Sequence, residues 1–110
     1  MQLRTYVMVD RMQPQYAAFT GKRTLGMIPI EGDAQIFIEM SPAAEVYKVM
    51  DIALKTTNVQ PGYLSMGRQY GFLEIHSNHQ EAVQYTGQKA LESMGLQETD
   101  RLKPTVLSAN

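Results

Sequence analysis

Hydrophobic patterning divides the chain into strand-like and helix-like segments. Four runs rich in branched and aromatic side chains predict β-strands, at residues 3–9, 35–40, 60–66 and 69–76. Two longer stretches repeat their apolar positions every three or four residues, which predicts amphipathic helices at residues 42–57 and 81–94. Weaker signals predict a short helix or turn, a short extended piece, a turn and a last short strand, at residues 11–20, 25–30, 31–33 and 105–108.

The helix predicted at 42–57 has the clearest local signals. Ser41 is a favourable N-cap and Pro42 suits the first helical position. Asp51 and Lys55 are spaced i,i+4 with the acid first, so they share one exposed face and stabilise the helix by roughly 0.2–0.5 kcal/mol. Gly95 is expected to end the later helix.

The order of elements from residue 35 onward is strand, helix, strand, strand, helix, which is most of a split βαβ unit. The strand at 3–9 supplies a fourth sheet member. We therefore predict an α+β, ferredoxin-like fold, in which an antiparallel sheet carries both helices on one face and leaves the other face free. The length predicts a single domain over 1–110, with 103–110 as a C-terminal tail.

Composition excludes several classes of partner. The formal net charge is −1, from 10 basic and 11 acidic residues, so no basic field for nucleic acid is expected. Cysteine is absent, which removes disulfides and thiolate chemistry and fits a reducing compartment. No apolar run approaches the ~20 residues of a membrane span, and no secretion signal opens the chain. A cytoplasmic protein without membrane partners is the expectation.

Candidate catalytic and metal-binding patterns are weak. His76 and His79 are three residues apart, but no third ligand stands at a fixed offset, so we predict no metal site. Gly62 and Gly67 have the spacing of a phosphate-binding loop, yet Arg68 follows where that loop needs lysine, and a hairpin turn explains the glycines better.

Carboxylates and serines are equally unspecific. Glu31, Asp33 and Glu39 cluster near a turn, where solvated carboxylates are the simpler interpretation. Three serines lack the sharp strand-to-helix context of a nucleophile, namely Ser41, Ser65 and Ser77. We predict no enzymatic activity and no cofactor.

Several separate motifs, taken in order, resemble those of one family. They are Leu3-Arg4-Thr5-Tyr6-Val7, Gln13-Pro14-Gln15, Gly32-Asp33-Ala34, Ile38-Glu39-Met40-Ser41-Pro42, Asp51-Ile52-Ala53-Leu54-Lys55, Val59-Gln60-Pro61-Gly62, Arg68-Gln69-Tyr70-Gly71 and Arg101-Leu102-Lys103-Pro104. Together they resemble the circularly permuted shell domain of bacterial microcompartments. The likeness is to the first half of tandem-domain shell proteins, including those of carboxysomes, and it spans essentially the whole chain.

This resemblance implies a structural role in a microcompartment shell in the bacterial cytoplasm. It implies a homohexamer that meets other shell proteins at its edges and has a central pore for small anionic metabolites. The implied pore residues are Gly67, Arg68 and Gln69, and the implied shell-edge residues are Asp51, Lys55 and His76.

Two departures from the family pattern matter. Tandem relatives continue into a second domain, whereas this sequence ends at Asn110, so six single-domain copies would replace three tandem chains. Those relatives carry Glu-Arg in the pore loop where this chain has Gly67-Arg68, so a Glu–Arg gate is not expected. A ferredoxin-like regulatory domain that binds a small ligand between subunits is the alternative. Assembly size separates the two, because a hexamer with an axial hole favours the shell.

Overall fold

The structure, a computed structural model, describes residues 2–21, 26, 30 and 32–101. Its strands are β1 (Gln2–Val9), β2 (Ala34–Ser41), β3 (Gln60–Met66) and β4 (Gly71–Ser77). Its helices are α1 (Pro14–Gly21), α2 (Glu45–Thr56) and α3 (Gln80–Ser93), followed by a 3₁₀ turn at Glu98–Asp100. The predicted extended piece at 25–30 and the last strand at 105–108 fall mostly or wholly outside the described residues.

The four strands form one antiparallel sheet in the order β1-β2-β4-β3. Strand β1 is the fourth sheet member, as predicted, and lies beside β2, so the expected α+β fold is confirmed. Strand β3 is an edge strand, which accommodates Pro61 because proline cannot donate a ladder hydrogen bond.

One face of the sheet and the inner stripes of α2 and α3 form the core. Alternate residues of the two central strands point to this face, because side chains alternate along a strand. Its fully buried members include Ile36, Ile38, Met40, Leu73, Ile75, Val46, Val49, Ala53, Val83 and Ala90. Gly87 lets α3 approach closely, because a Cβ there would overlap the Tyr6 hydroxyl and the Ile36 side chain. Burial in this region, with a smaller contribution from the Glu98 carboxylate, raises the pKa of Tyr6 to about 12.

Two β-bulges modify the register of the outer strands. In β1, Leu3 pairs with Met40 and Thr5 pairs with Glu39, so Arg4 is an extra residue. The bulge explains why the buried positions of β1 are spaced by three residues before the regular alternation resumes. In β3, the corresponding extra residue is Gly62.

The start of α2 differs from the prediction. Ser41 is the last residue of β2, where it pairs with Gln2, so it stays extended and cannot cap the helix. Pro42 lies in a turn, and its carbonyl accepts a hydrogen bond from the backbone N–H of Glu45, the first helical residue. Strand pairing therefore outweighs the local capping signal here.

The end of α3 agrees with the prediction. Gly95 has a φ of +71°, a conformation that favours glycine, and its backbone N–H donates to the carbonyl of Glu92. The chain then turns away from the helix. Within the described ranges, no helix is long and apolar enough to cross a membrane.

The second face of the sheet is not free, contrary to the prediction. Three polar residues on this face are almost completely buried, namely Gln35, Glu74 and His76. Helix α1 covers them in part, since the Tyr16 hydroxyl donates a hydrogen bond to Oε1 of Gln35 (2.9 Å). The element that the sequence predicted only as a short helix or turn therefore has a packing role.

Candidate functional site

The β3–β4 hairpin presents the loop of residues 67–70 at one end of the sheet. Met66 pairs with Gly71 at the last rung, and the backbone N–H of Gly67 donates to the carbonyl of Tyr70 (2.9 Å). Arg68 and Gln69 are the two central residues of this loop and are exposed. The three residues predicted to line the pore therefore lie in one exposed loop.

The charge at this loop is positive and unbalanced. Among the residues that the structure describes, no carboxylate forms an ion pair with Arg68. Gly67 does not adopt a positive φ, since among the described residues positive φ angles occur only at Gly32 and Gly95. Gly67 instead leaves room, since a Cβ there would lie 3.3 Å from the Tyr70 carbonyl oxygen.

Asp51 and Lys55 form the i,i+4 ion pair that the sequence predicted. Nζ of Lys55 lies 2.9 Å from Oδ2 of Asp51, and the two side chains are 74% and 59% exposed. Exposed pairs of this kind contribute only about 0.3–0.5 kcal/mol to stability. The pair is therefore available for contacts outside the chain without being needed for the fold.

The loop at 67–70 and the Lys55 end of α2 lie at opposite ends of the domain. Gly71, at the base of the hairpin, packs against Ala43, just before α2, and Val46, in the first turn of α2. Twelve helical residues at 1.5 Å each then carry the chain about 18 Å. Strand β3 begins after α2 with Gln60, which pairs with His76 near the far end of β4.

His76 does not lie at an exposed edge, so its assignment to the shell-edge set is wrong for this chain. Its side chain is 0% exposed. It alternates with Ile75 along β4 and points to the second sheet face, under the part of the chain that contains α1. A side chain without exposed atoms cannot reach a neighbouring subunit.

The buried histidine belongs to a chain of hydrogen bonds. Nδ1–H of His76 donates to Oε1 of Glu74 (2.9 Å), and Nε2 of Gln35 donates to Oε2 of the same carboxylate (2.6 Å). Tyr16 completes the chain through Oε1 of Gln35. Burial, and secondarily the Glu74 carboxylate, raises the pKa of Tyr16. Nε2 of His76 is buried and has no partner within the described part of the chain.

The bulge residue Gly62 makes space for this network. A Cβ at Gly62 would overlap the Glu74 carboxylate and lie 3.1 Å from Cε1 of His76. Gly62 therefore lies inside strand β3, as the predicted strand at 60–66 implies, and not in the hairpin turn. Its function is steric, because it admits a buried carboxylate and imidazole beneath an edge strand.

Sequence reasoning missed the network because its signal is ambiguous. Glu74 and His76 alternate with Leu73 and Ile75, which places them on the second face but does not say whether that face is covered. The residues that bury them are distant in sequence and weakly patterned. Only the packing of α1 distinguishes a buried polar row from a solvated one.

Three of the other candidate side chains accept hydrogen bonds within the fold. Glu39 accepts a hydrogen bond from Oγ1 of Thr5 (3.0 Å), and the Asp33 carboxylate accepts one from the backbone N–H of Ile30 (3.2 Å). Oγ of Ser77 accepts from the backbone N–H of His79, whose side chain is exposed. Within the described residues, no three His, Cys, Asp or Glu side chains are grouped closely enough to hold a metal ion.

Known proteins match this chain over nearly its whole length. The family model described as the CsoS1D N-terminal domain matches residues 3–100. The carboxysome shell protein CcmP of Synechococcus elongatus is 42% identical over 108 residues, which cover 98% of this chain and 51% of that protein. The chain spans between 41% and 52% of the length of such relatives.

Solved structures of shell proteins share the fold. The fused permuted hexameric shell protein MSM0275 from the RMM microcompartment superimposes with a TM-score of 0.89 at 32% identity, over 98% of this chain and 53% of that one. The double ringed trimeric shell protein MSM0271 from the same microcompartment gives 0.86 at 39% identity, over 96% of this chain and 50% of that one. The chain belongs to the CsoS1D N-terminal domain family of permuted microcompartment shell domains.

Proposed function

We propose that this domain is a structural subunit of a bacterial microcompartment shell. Six copies surround an axis, with the loop at 67–70 facing the axis and the Lys55 end of α2 at the rim, where it meets other shell proteins. Because relatives are about twice as long, the six domains come either from six chains or from three longer ones. The relatives named as shell proteins support the role in the shell, and with it a location in the bacterial cytoplasm.

The observation that carries the proposal is the separation of Arg68 from Lys55 within one domain. A closed ring places one end of each subunit at the axis and the other at the rim. The hairpin tip and the end of α2 meet that requirement, because the sheet and the helix between them span the domain. A shallow groove of about 350 Å³ between α2 and β3 is lined in part by Tyr47 and Tyr63, but the alternative, a regulatory domain, would bind its small ligand between subunits. Family membership favours the shell over that alternative.

The proposed pore selects by charge. Six copies of Arg68 around one opening create a positive potential that attracts small anions and repels cations. No described carboxylate balances the guanidinium within its own chain. An anion on the axis therefore supplies the counter-charge, and small anionic metabolites are the proposed permeants.

The Arg68→Ala variant tests the pore directly. Crystals of the assembled protein soaked in bromide should show anomalous density on the axis for the wild type and about tenfold less or none for the variant. Loss of a charge-assisted hydrogen bond, worth about 1.5–3 kcal/mol, is enough for this change in binding. Lys89→Ala is the matched control, because it removes an exposed positive charge on α3, outside the loop, and should keep the bromide.

Arg68→Ala should leave the ring intact, since the loop lies at the tip of the hairpin and away from the packed helices. Disassembly of the ring in this variant would contradict the placement of the loop. Equal bromide density in the wild type and in Arg68→Ala would refute the proposed anion selectivity.

A further inference from the structure

A cluster of polar contacts connects the start of β1 to the β3–β4 hairpin. Cζ of the Arg4 guanidinium lies 4.5 Å from the centre of the Tyr70 ring, a cation–π distance. Nε of Arg4 also lies 3.6 Å from Oε1 of Glu39 on β2. The Tyr70 hydroxyl donates a long hydrogen bond to Oε1 of Gln2 (3.4 Å). Strand β2 lies between β1 and β4, so these contacts reach across β2 at the end of the sheet that carries the hairpin.

The bulge in β1 directs Arg4 into this cluster. In a regular strand, Arg4 and Thr5 would point to opposite faces. Because Arg4 is the extra residue, both side chains contact the same carboxylate, that of Glu39. Bulges that redirect a side chain often occur beside functional sites. Here the redirected side chain meets the last residue of the loop that carries Arg68.

We propose that Arg4 is a positioning residue for the hairpin: held by Glu39, its guanidinium clamps the Tyr70 ring and thereby fixes the direction in which Arg68 points. Tyr70 also closes the loop, because its carbonyl accepts the hydrogen bond from the Gly67 N–H. Immobilising Tyr70 from one side therefore restricts the whole loop. The consequence for the anion site rests on the proposed pore, whereas the effect on the hairpin does not.

Hydrogen exchange of the assembled full chain tests the clamp. Arg4→Met removes the charge but retains a long side chain, and exchange of the amides at 67–71 should rise about two- to fivefold, the amount that an exposed cation–π contact supplies. Arg4→Lys keeps a cation over the ring and should restore slow exchange in part. Tyr70→Phe should resemble the wild type, since the ring remains and only a long hydrogen bond is lost.

Lys89→Met is the matched control. Nζ of Lys89 lies 5.5 Å from the centre of the Tyr85 ring on α3, so this variant removes a similar exposed contact away from the hairpin. Unchanged exchange at 67–71 in Arg4→Met would overturn the clamp. An equal rise in that exchange in Lys89→Met would also overturn the clamp, because the effect would then be global.

Bromide density on the axis separates a positioning role from a merely structural one. If Arg4 positions Arg68, Arg4→Met should lower that density at least about twofold, and Arg4→Lys should recover it. Faster hairpin exchange with unchanged bromide density would overturn the positioning role. If the pore proposal is wrong, Arg68→Ala will leave the bromide density unchanged. The exchange data will still test the clamp in that case.

Discussion

Replacing Lys55 with aspartate should abolish extended two-dimensional arrays while leaving individual rings intact. The side chain is 74% exposed and its partner Asp51 is one helical turn away on the same surface. Loss of this ion pair lowers the free energy of unfolding only slightly, because an exposed i,i+4 pair contributes about 0.3–0.5 kcal/mol. At the proposed rim, however, the variant places two carboxylates where the neighbouring ring presents the same pair, and like charges repel. Electron micrographs detect extended arrays, and light scattering detects intact rings in solution.

Lys89→Asp is the matched control for this effect. Lys89 forms a comparable exposed pair with Glu92, at 3.1 Å, on helix α3. Its replacement introduces the same change in charge and should leave arrays unchanged if the rim contact is specific to the end of α2. Arrays that persist in Lys55→Asp, or rings that fall apart, would show that Lys55 has been assigned to the wrong interface.

Replacing Gly71 with alanine should destabilise the domain by about 2–3 kcal/mol, which is typical of overpacking where the backbone cannot move aside. A Cβ at this position would overlap the carbonyl oxygen of Ala43 and lie 2.7 Å from Cβ of Val46. Ala43 lies in the connection between β2 and α2, and Val46 is the second residue of α2. At equal protomer concentration, the Tm should fall by about 10–20 °C.

Gly67→Ala is the control at the other end of the same loop. The nearest described atom to a Cβ there is the carbonyl oxygen of Tyr70, at 3.3 Å, so a small adjustment is enough. Its Tm should change by much less than that of Gly71→Ala. Equal Tm values for the two variants would show that the hairpin base is not packed against α2 as described.

The sequence predicted the fold well because its strongest signals are periodic. Alternation and helical spacing placed β3, α2 and α3 within a few residues of their observed bounds. The glycine stop at Gly95 was also correct, since it depends only on local backbone geometry. Family motifs then identified the domain, and the comparisons confirm that identification.

The wrong predictions share a physical cause, which is that tertiary packing decides them. Ser41 has the chemistry of a cap, but its pairing with Gln2 holds it in a strand. His76 has the chemistry of an exposed contact residue, but it is fully buried beside Glu74, in the space that Gly62 leaves under β3. Neither outcome has a local signature, because each depends on a segment far away in the chain.

An electron cryomicroscopy map of the assembled protein would show where both ends of each domain lie. We expect six copies of the domain around one axis, with Arg68 of every copy facing the opening and Lys55 of every copy at the outer rim. Because α2 separates these residues, a domain that has Arg68 at the axis must have Lys55 at the rim. An axis lined by another element, or a chain that remains monomeric at micromolar concentration, would contradict the account.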